Sequence, residues 1–233
     1  MPIHSSNDRK IIDSWHRNAA PWSLAIREDQ IESRTLVTNQ AIADAIVSRS
    51  ARTLLDIGCG EGWLARELSA RGMEVLGTDV VPALIEQARA TGGGRFEVMS
   101  YEDMATGKLR EKFDAAVCNF SLLGDASVTN LFRTLPALLN PNGSLLIQTL
   151  HPVAGCGEHR YQDGWREGSW AGFSGDFADA PPWYFRTMET WVRLYTDYGF
   201  ELREVREPIH PKTGKPASVL FIGVVAGRPP IGR

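Results

Sequence analysis

Cysteine is scarce in this chain: Cys59, Cys118 and Cys156 make an odd count of three, with no Cys-x-x-Cys pair. That excludes a disulfide framework and a paired-cysteine zinc module, and it suits thiols kept reduced, so a cytoplasmic location is expected. His151, Cys156 and His159 lie close in sequence, but nothing supplies a second ligand pair, and no metal site is expected. Long apolar runs are missing too. No segment approaches the ~18 consecutive apolar residues that span a bilayer, and Met1 to Lys10 is polar, without the apolar stretch of an export signal. A soluble, unexported chain with no membrane span is therefore expected. Nor is there a surplus of positive charge. The 25 Lys and Arg against 28 Asp and Glu leave a net charge of -3, so no global field is available to hold nucleic acid. What is present is a chain of 233 residues, 43% hydrophobic and 23% charged, enough to build one full-sized domain around its own core. Its one unusual number is seven Trp.

From about residue 53 to residue 149, short apolar or β-branched runs alternate with helical stretches, the pattern of βαβ units and a parallel sheet. The strands are expected at Thr53–Ile57, Val75–Thr78, Phe96–Met99, Ala115–Cys118 and Ser144–Thr149. Pro82 opens one intervening helix, Ser127 is the expected N-cap of another, and the turn Asn140–Gly143 leads into the fifth strand. Residues 151–183 are rich in Gly and aromatics without a period and read as a long excursion, which in a compact domain tends to be functional. Regular structure returns at 184–226, with a helix capped by Thr187 and a final hairpin. The first 50 residues form an appended helical cap.

The chemistry concentrates in Leu54-Leu55-Asp56-Ile57-Gly58-Cys59-Gly60-Glu61-Gly62, a strand running into a glycine turn and a helix. Glycines there let the backbone bend sharply and let a ligand approach without meeting a Cβ atom. Asp79 ends the next strand, 21 residues after Gly58, where a carboxylate can accept from both ribose hydroxyls of an adenosine. A dinucleotide site would need a third glycine where Trp63 stands, so a bulky indole argues against a pyrophosphate slot. A phosphate loop is excluded because no Gly-Lys-Ser/Thr follows.

These residues resemble the first motif of the class I S-adenosylmethionine-dependent methyltransferases, Leu-Asp-x-Gly-Cys-Gly-x-Gly. The likeness continues through Val75–Asp79, through Phe113-Asp114-Ala115-Ala116-Val117-Cys118-Asn119 and through Leu139-Asn140-Pro141-Asn142-Gly143-Ser144-Leu145-Leu146, in family order over residues 53–150. Tyr184-Phe185-Arg186-Thr187 and Tyr198-Gly199-Phe200 are similar to the small-molecule branch that includes quinone-biosynthesis methyltransferases. The resemblance implies an α/β, Rossmann-like methyltransferase fold, with a seven-stranded, mostly parallel sheet, an antiparallel last strand and helices on both faces. It implies S-adenosylmethionine as cofactor, S-adenosylhomocysteine as product, and no metal. Gly58, Cys59 and Gly60 would line the methionine part, braced by Asp56, and Asp79 would take the ribose diol. Val80, Tyr101 and Glu102 would border adenine, although the family often places Asp and a small residue where Ser100 and Tyr101 stand. Asn119 and Phe120 would border the sulfonium, and Arg34 would clamp the methionine carboxylate.

The partner is then a small acceptor, aromatic or apolar, methylated at oxygen or carbon. His151, just past the fifth strand at the carboxyl edge, is the candidate base. Nine of the chain's aromatic residues fall between 151 and 191, a density that suggests a lid over an apolar acceptor. Tyr161, Trp165, Trp183 and Arg186 are the expected substrate contacts, plain packing being the alternative for the rings and surface ion pairing for the arginine. A nicotinamide-dependent oxidoreductase and a non-catalytic cofactor binder are the rival functions. Oligomeric state is not legible.

Overall fold

The computed structural model describes residues 6–173 and 175–227; residues 1–5 of the polar amino terminus lie outside them. Nine strands and eight α-helices follow one another along the described chain: α1 (Ser6–Arg27), a π-helical turn (Arg34–Thr38) running into α2 (Asn39–Val47), β1 (Thr53–Ile57), α3 (Trp63–Ser69), β2 (Glu74–Asp79), α4 (Pro82–Thr91), β3 (Arg95–Val98), α5 (Tyr101–Ala105), β4 (Phe113–Asn119), α6 (Ala126–Leu138), β5 (Leu139–Thr149), α7 (Pro152–Cys156), β6 (Gly164–Arg166), β7 (Trp183–Phe185), α8 (Met188–Asp197), β8 (Phe200–Arg206) and β9 (Val219–Val225). Seven strands form one sheet in the order β3-β2-β1-β4-β5-β9-β8. β1 to β5 run parallel, and β9 lies antiparallel between β5 and β8, as the resemblance implies.

The central strands are apolar on successive residues because helices cover both faces. Leu55, Leu145 and Phe221 face the layer of α6 and α8, while Leu54, Leu146 and Ile222 face α2, α3 and α4. Tyr195 of α8 lies fully buried across β9, its hydroxyl 3.0 Å from the Phe221 carbonyl oxygen, and a Cβ at Gly223 would stand 2.5 Å from its ring. Helix starts follow local chemistry. Pro82 occupies the first turn of α4, Ser100 and Asp103 form a reciprocal capping box on α5, and the Thr187 hydroxyl accepts from the Thr190 N–H on α8.

Three expectations are corrected. Ser127 does not cap α6, whose N-cap is Asp125; it lies inside the helix, where its hydroxyl donates to Asp8 at 2.8 Å. Asn140–Gly143 is a bulged continuation of β5 rather than a separate turn, held to β4 where the Asn140 amide donates to Asp114 at 2.8 Å. The excursion contains a helical turn and a two-stranded ribbon, β6–β7, whose three-residue strands are too short to reveal a period of two. The Tyr184 N–H pins the ribbon to the Leu123 carbonyl beyond β4. Among the described residues no helix is long and apolar enough to cross a membrane.

Candidate active site

Strands β1, β2, β4 and β5 all deliver their carboxyl ends to one cavity of about 500 Å³, at the edge where open α/β sheets bind ligands. The glycine turn after β1 is fastened from below: the Gly58 and Cys59 N–H groups donate to the Thr78 carbonyl at 2.8 and 3.0 Å. Gly58 has φ +73°, and a Cβ there would lie 2.3 Å from that of Ser121, so only glycine lets the two loops touch. Ser121 locks this contact by donating to the Ile57 carbonyl at 2.7 Å, and Tyr101 donates to the Ser121 carbonyl at 2.9 Å.

Asp79, at the end of β2, accepts from the Gly60 N–H on one carboxylate oxygen and from the Val81 N–H on the other, each at 2.9 Å. Burial holds its pKa above the ordinary aspartate value, against the pull of those backbone donors. Asp56 is more extreme. It is 1% exposed, and burial, with Asp79 and Glu61 nearby, raises its pKa from 3.8 to about 7. Asn119 and Phe120 leave β4 under the control of Gln148, whose amide donates to Asn119 at 2.9 Å and to the Thr38 carbonyl at 3.0 Å. The Phe120 N–H meets the Gln148 carbonyl at 2.8 Å, and Phe120 takes a φ of +54°, an uncommon conformation for an aromatic residue.

Arg34 reaches the cavity between two indoles, 5.8 Å from the Trp22 ring centre and 5.0 Å from that of Trp63. Burial lowers its pKa to about 10, with Glu61 and Asp29 opposing. Its Nη2, the Thr38 hydroxyl and Glu61 Oε1 are buried without a hydrogen-bond partner, and all three residues line the cavity. Glu61 keeps its other oxygen paired with Arg66, so one open donor atom and one open acceptor atom of opposite charge belong to the same cavity lining, a set that suits a zwitterion.

A second wall is made by Trp183, Tyr184, Phe185, Arg186 and Trp191, with Asp8 and Ile11 from α1. Arg186, 3% exposed, donates through Nη2 to the Gly124 carbonyl at 2.7 Å and the Asp125 carbonyl at 3.2 Å. Its guanidinium lies 4.9 Å from the Tyr184 ring centre and 5.4 Å from that of Trp191, and Nη1 has no partner. Burial pulls its pKa down to about 10.

Overhead, α1 and the excursion close on each other. Asn18 donates to the Ala178 carbonyl at 2.7 Å and accepts from the Ala178 N–H at 2.9 Å, while Ser14 donates to the Asp179 carbonyl at 2.6 Å and Arg17 pairs with the Asp179 carboxylate. Trp15 packs edge-on against Trp22 and Trp170, and Trp170 in turn against Phe173 and Phe177.

Of the residues singled out in sequence, Arg34, Gly58, Cys59, Gly60, Asp79, Val80, Tyr101, Glu102, Asn119, Phe120, Trp183 and Arg186 all line this cavity. Asp56, buried in β1 just before the glycine turn, does not line the cavity. Tyr161 and Trp165 are not brought to the cavity: Tyr161 is half exposed and accepts from the Met188 N–H, and Trp165 packs on the outside of Tyr184. His151 also turns away, although Leu150 and Pro152 beside it line the cavity. Its Nδ1 accepts from the Val153 N–H at 3.2 Å, which leaves the proton on Nε2, 2.6 Å from a Glu207 oxygen. Both ring nitrogens are thus engaged, one in capping α7 and the other in holding the start of the β8–β9 connection. The cavity further draws on Asp8, Trp15, Trp22, Thr38, Trp170 and Phe173. Among the described residues no cluster of three His, Cys, Asp or Glu side chains is placed to hold a metal.

Residues 27–205 match the family model described as "Methyltransferase domain". The ubiquinone biosynthesis O-methyltransferase of Xanthomonas oryzae is 33% identical over 103 residues, 42% of this chain and 43% of that protein, so the match spans under half of the curated relative. The crystal structure of an S-adenosylmethionine-dependent methyltransferase from Clostridium acetobutylicum superimposes with TM-score 0.66 at 14% identity, covering 88% of this chain and 98% of the other. Magnesium protoporphyrin IX methyltransferase from Synechocystis, solved with bound SAM, gives TM-score 0.56 at 15% identity, covering 84% and 80%.

Proposed function

Because the chain belongs to the methyltransferase-domain family, we propose that it transfers a methyl group from S-adenosylmethionine to a small aromatic or apolar acceptor, at oxygen or carbon. The observation that carries this reading is the pairing, in one cavity, of a half-buried carboxylate at the end of β2 with open polar atoms of both signs, Arg34 Nη2 and Glu61 Oε1, the other Glu61 oxygen being paired with Arg66. Those groups match a ribose diol and an amino-acid zwitterion. When bound, the cofactor supplies a methyl group already activated by positive sulfur.

The chain's own residues then bind, align and exclude water. Asp79 would accept from the ribose hydroxyls while its backbone bonds hold the glycine turn open. Arg34 would donate Nη2 to the methionine carboxylate, with Glu61 near the ammonium and Asp56 bracing the turn from beneath. Asn119 and Phe120, fixed by Gln148, would border the reacting carbon, and Trp183 with Arg186 would meet the acceptor. The Trp15–Trp170 roof would keep water out. Three unpaired, buried thiols support action in the reducing cytosol.

The test is a thermal-shift titration. S-adenosylhomocysteine is expected to raise the melting temperature and NAD to leave it unchanged. Stabilisation by NAD alone would overturn the reading. Turnover of a phenol and carboxylate panel with labelled cofactor then separates an enzyme from a non-catalytic binder.

A further inference from the structure

On the acceptor wall, Arg186 is a buried cation whose hydrogen bonding is incomplete. Nη2 satisfies two backbone carbonyls, but Nη1, with two N–H bonds, has no partner. The nearest carboxylate, Asp125, stands 3.7 Å away with its side chain 45% exposed, too far for a hydrogen bond. A buried guanidinium costs free energy until its donors are met, and water alone meets them poorly between the faces of Tyr184 and Trp191. Those ring faces also fix the plane of the guanidinium, so the open donors belong to a stiff group on the cavity wall. The same cavity is lined by aromatic and aliphatic side chains, among them Trp183, Phe185, Ile11 and Leu122. Asp8, which accepts from the Ser127 hydroxyl at 2.8 Å, lines the same cavity, so a second carboxylate on a ligand would share it with a carboxyl group of the chain.

We infer that Arg186 is the specificity-determining residue of the acceptor site, and that Nη1 receives one carboxylate of a planar, apolar monoacid. This deepens the methyl-transfer reading and rests on it for the acceptor's role in the reaction; the binding itself needs only the wall described. An acid bound this way arrives ionised. If that carboxylate oxygen were the nucleophile, its bond to the methyl carbon would form as the carbon–sulfur bond breaks, giving a methyl ester and the neutral thioether S-adenosylhomocysteine, with no proton to remove.

The experiment compares naphthalene-2-carboxylate with its uncharged amide by calorimetry, on the protein alone and with S-adenosylhomocysteine present. The carboxylate is expected to bind roughly 10-fold or more tightly than the amide, the scale of a charge-assisted hydrogen bond. Arg186→Met should abolish that preference and leave S-adenosylhomocysteine affinity unchanged. Equal affinities in the wild type, no carboxylate binding, or a preference that survives in R186M would each overturn the inference. Should R186M fail to fold, the side-chain ¹⁵N signal of Arg186 in the wild type decides: it must move with the carboxylate and stay with the amide. Absent S-adenosylhomocysteine binding would sink the methyltransferase reading instead, and the ratio measured on the protein alone would still judge Arg186.

Discussion

Replacing Asp79 by asparagine separates its hold on the glycine turn from its proposed capture of the ribose. In the wild type one carboxylate oxygen accepts from Gly60 and the other from Val81. Asparagine keeps the shape but has one oxygen, so its amide nitrogen must face one of those N–H donors, and a stranded buried donor costs about 1–3 kcal/mol. That cost falls on free and bound protein alike and is read as lost stability in urea. The affinity loss is distinct: the charge-assisted bonds from the ribose hydroxyls are worth about 1.5–3 kcal/mol, so S-adenosylhomocysteine should bind roughly 10- to 100-fold more weakly. Calorimetry with S-adenosylhomocysteine and its 2′-deoxy analogue isolates this part, because the wild type should discriminate between them and the variant should not. Burial raises the Asp79 pKa, so wild-type affinity should also begin to fall at a higher pH than for an ordinary aspartate. A folded variant that binds S-adenosylhomocysteine within twofold of the wild type would refute the ribose assignment. Asp79→Ala is the poorer probe, since it strands both amides and loosens the glycine turn itself.

Asp56→Asn should stabilise the ligand-free protein, and more at pH 8 than at pH 5. The folded pKa, about 7, lies above the ordinary aspartate value of 3.8, so the stabilising effect of protonated Asp56 is complete below 3.8 and gone once pH passes about 7. About three pKa steps at ~1.4 kcal/mol each put the gain on the order of 4 kcal/mol, read from urea midpoints; a gain independent of pH would refute it. Asn18→Ala removes bonds to Ser14 and Ala178 and should cost about 1–3 kcal/mol. Hydrogen exchange should quicken at residues 175–180 and not in the sheet, whereas uniform quickening would show that the roof does not open by itself. His151→Ala should lower the melting temperature yet hold turnover near wild type, since the ring is engaged by Val153 and Glu207. A ~100-fold loss of kcat at unchanged stability, the scale of general base catalysis, would restore His151 as the base.

The sequence made the cofactor half legible because its signals are local. Gly58, Gly60 and Asp79 act within a strand-turn-helix-strand unit whose backbone demands can be read from residue type. The proposed acceptor half depends on pairs far apart in the chain: Asp8 meets Ser127 across 119 residues and Asn18 meets Ala178 across 160. Ser127 looked like a cap because its local context fits one, and the long-range partner won. Trp165 and Trp183 have the same composition signal, yet the ribbon turns Trp183 inward and lays Trp165 on the outer side of Tyr184. For His151, position at the carboxyl edge was visible, but the direction of the ring was fixed by Glu207, 56 residues on.

Six of the seven tryptophans, all but Trp165, line the cavity at the carboxyl ends of the strands. Indole emission follows the polarity and charge around the ring, so nearly all of the protein's intrinsic fluorescence originates where ligands would enter. Trp22 and Trp63 report on the guanidinium between them, and Trp183 and Trp191 on the wall that carries Arg186. The chain thereby carries an unlabelled optical readout of both halves of its site, with Trp165 outside as an internal reference.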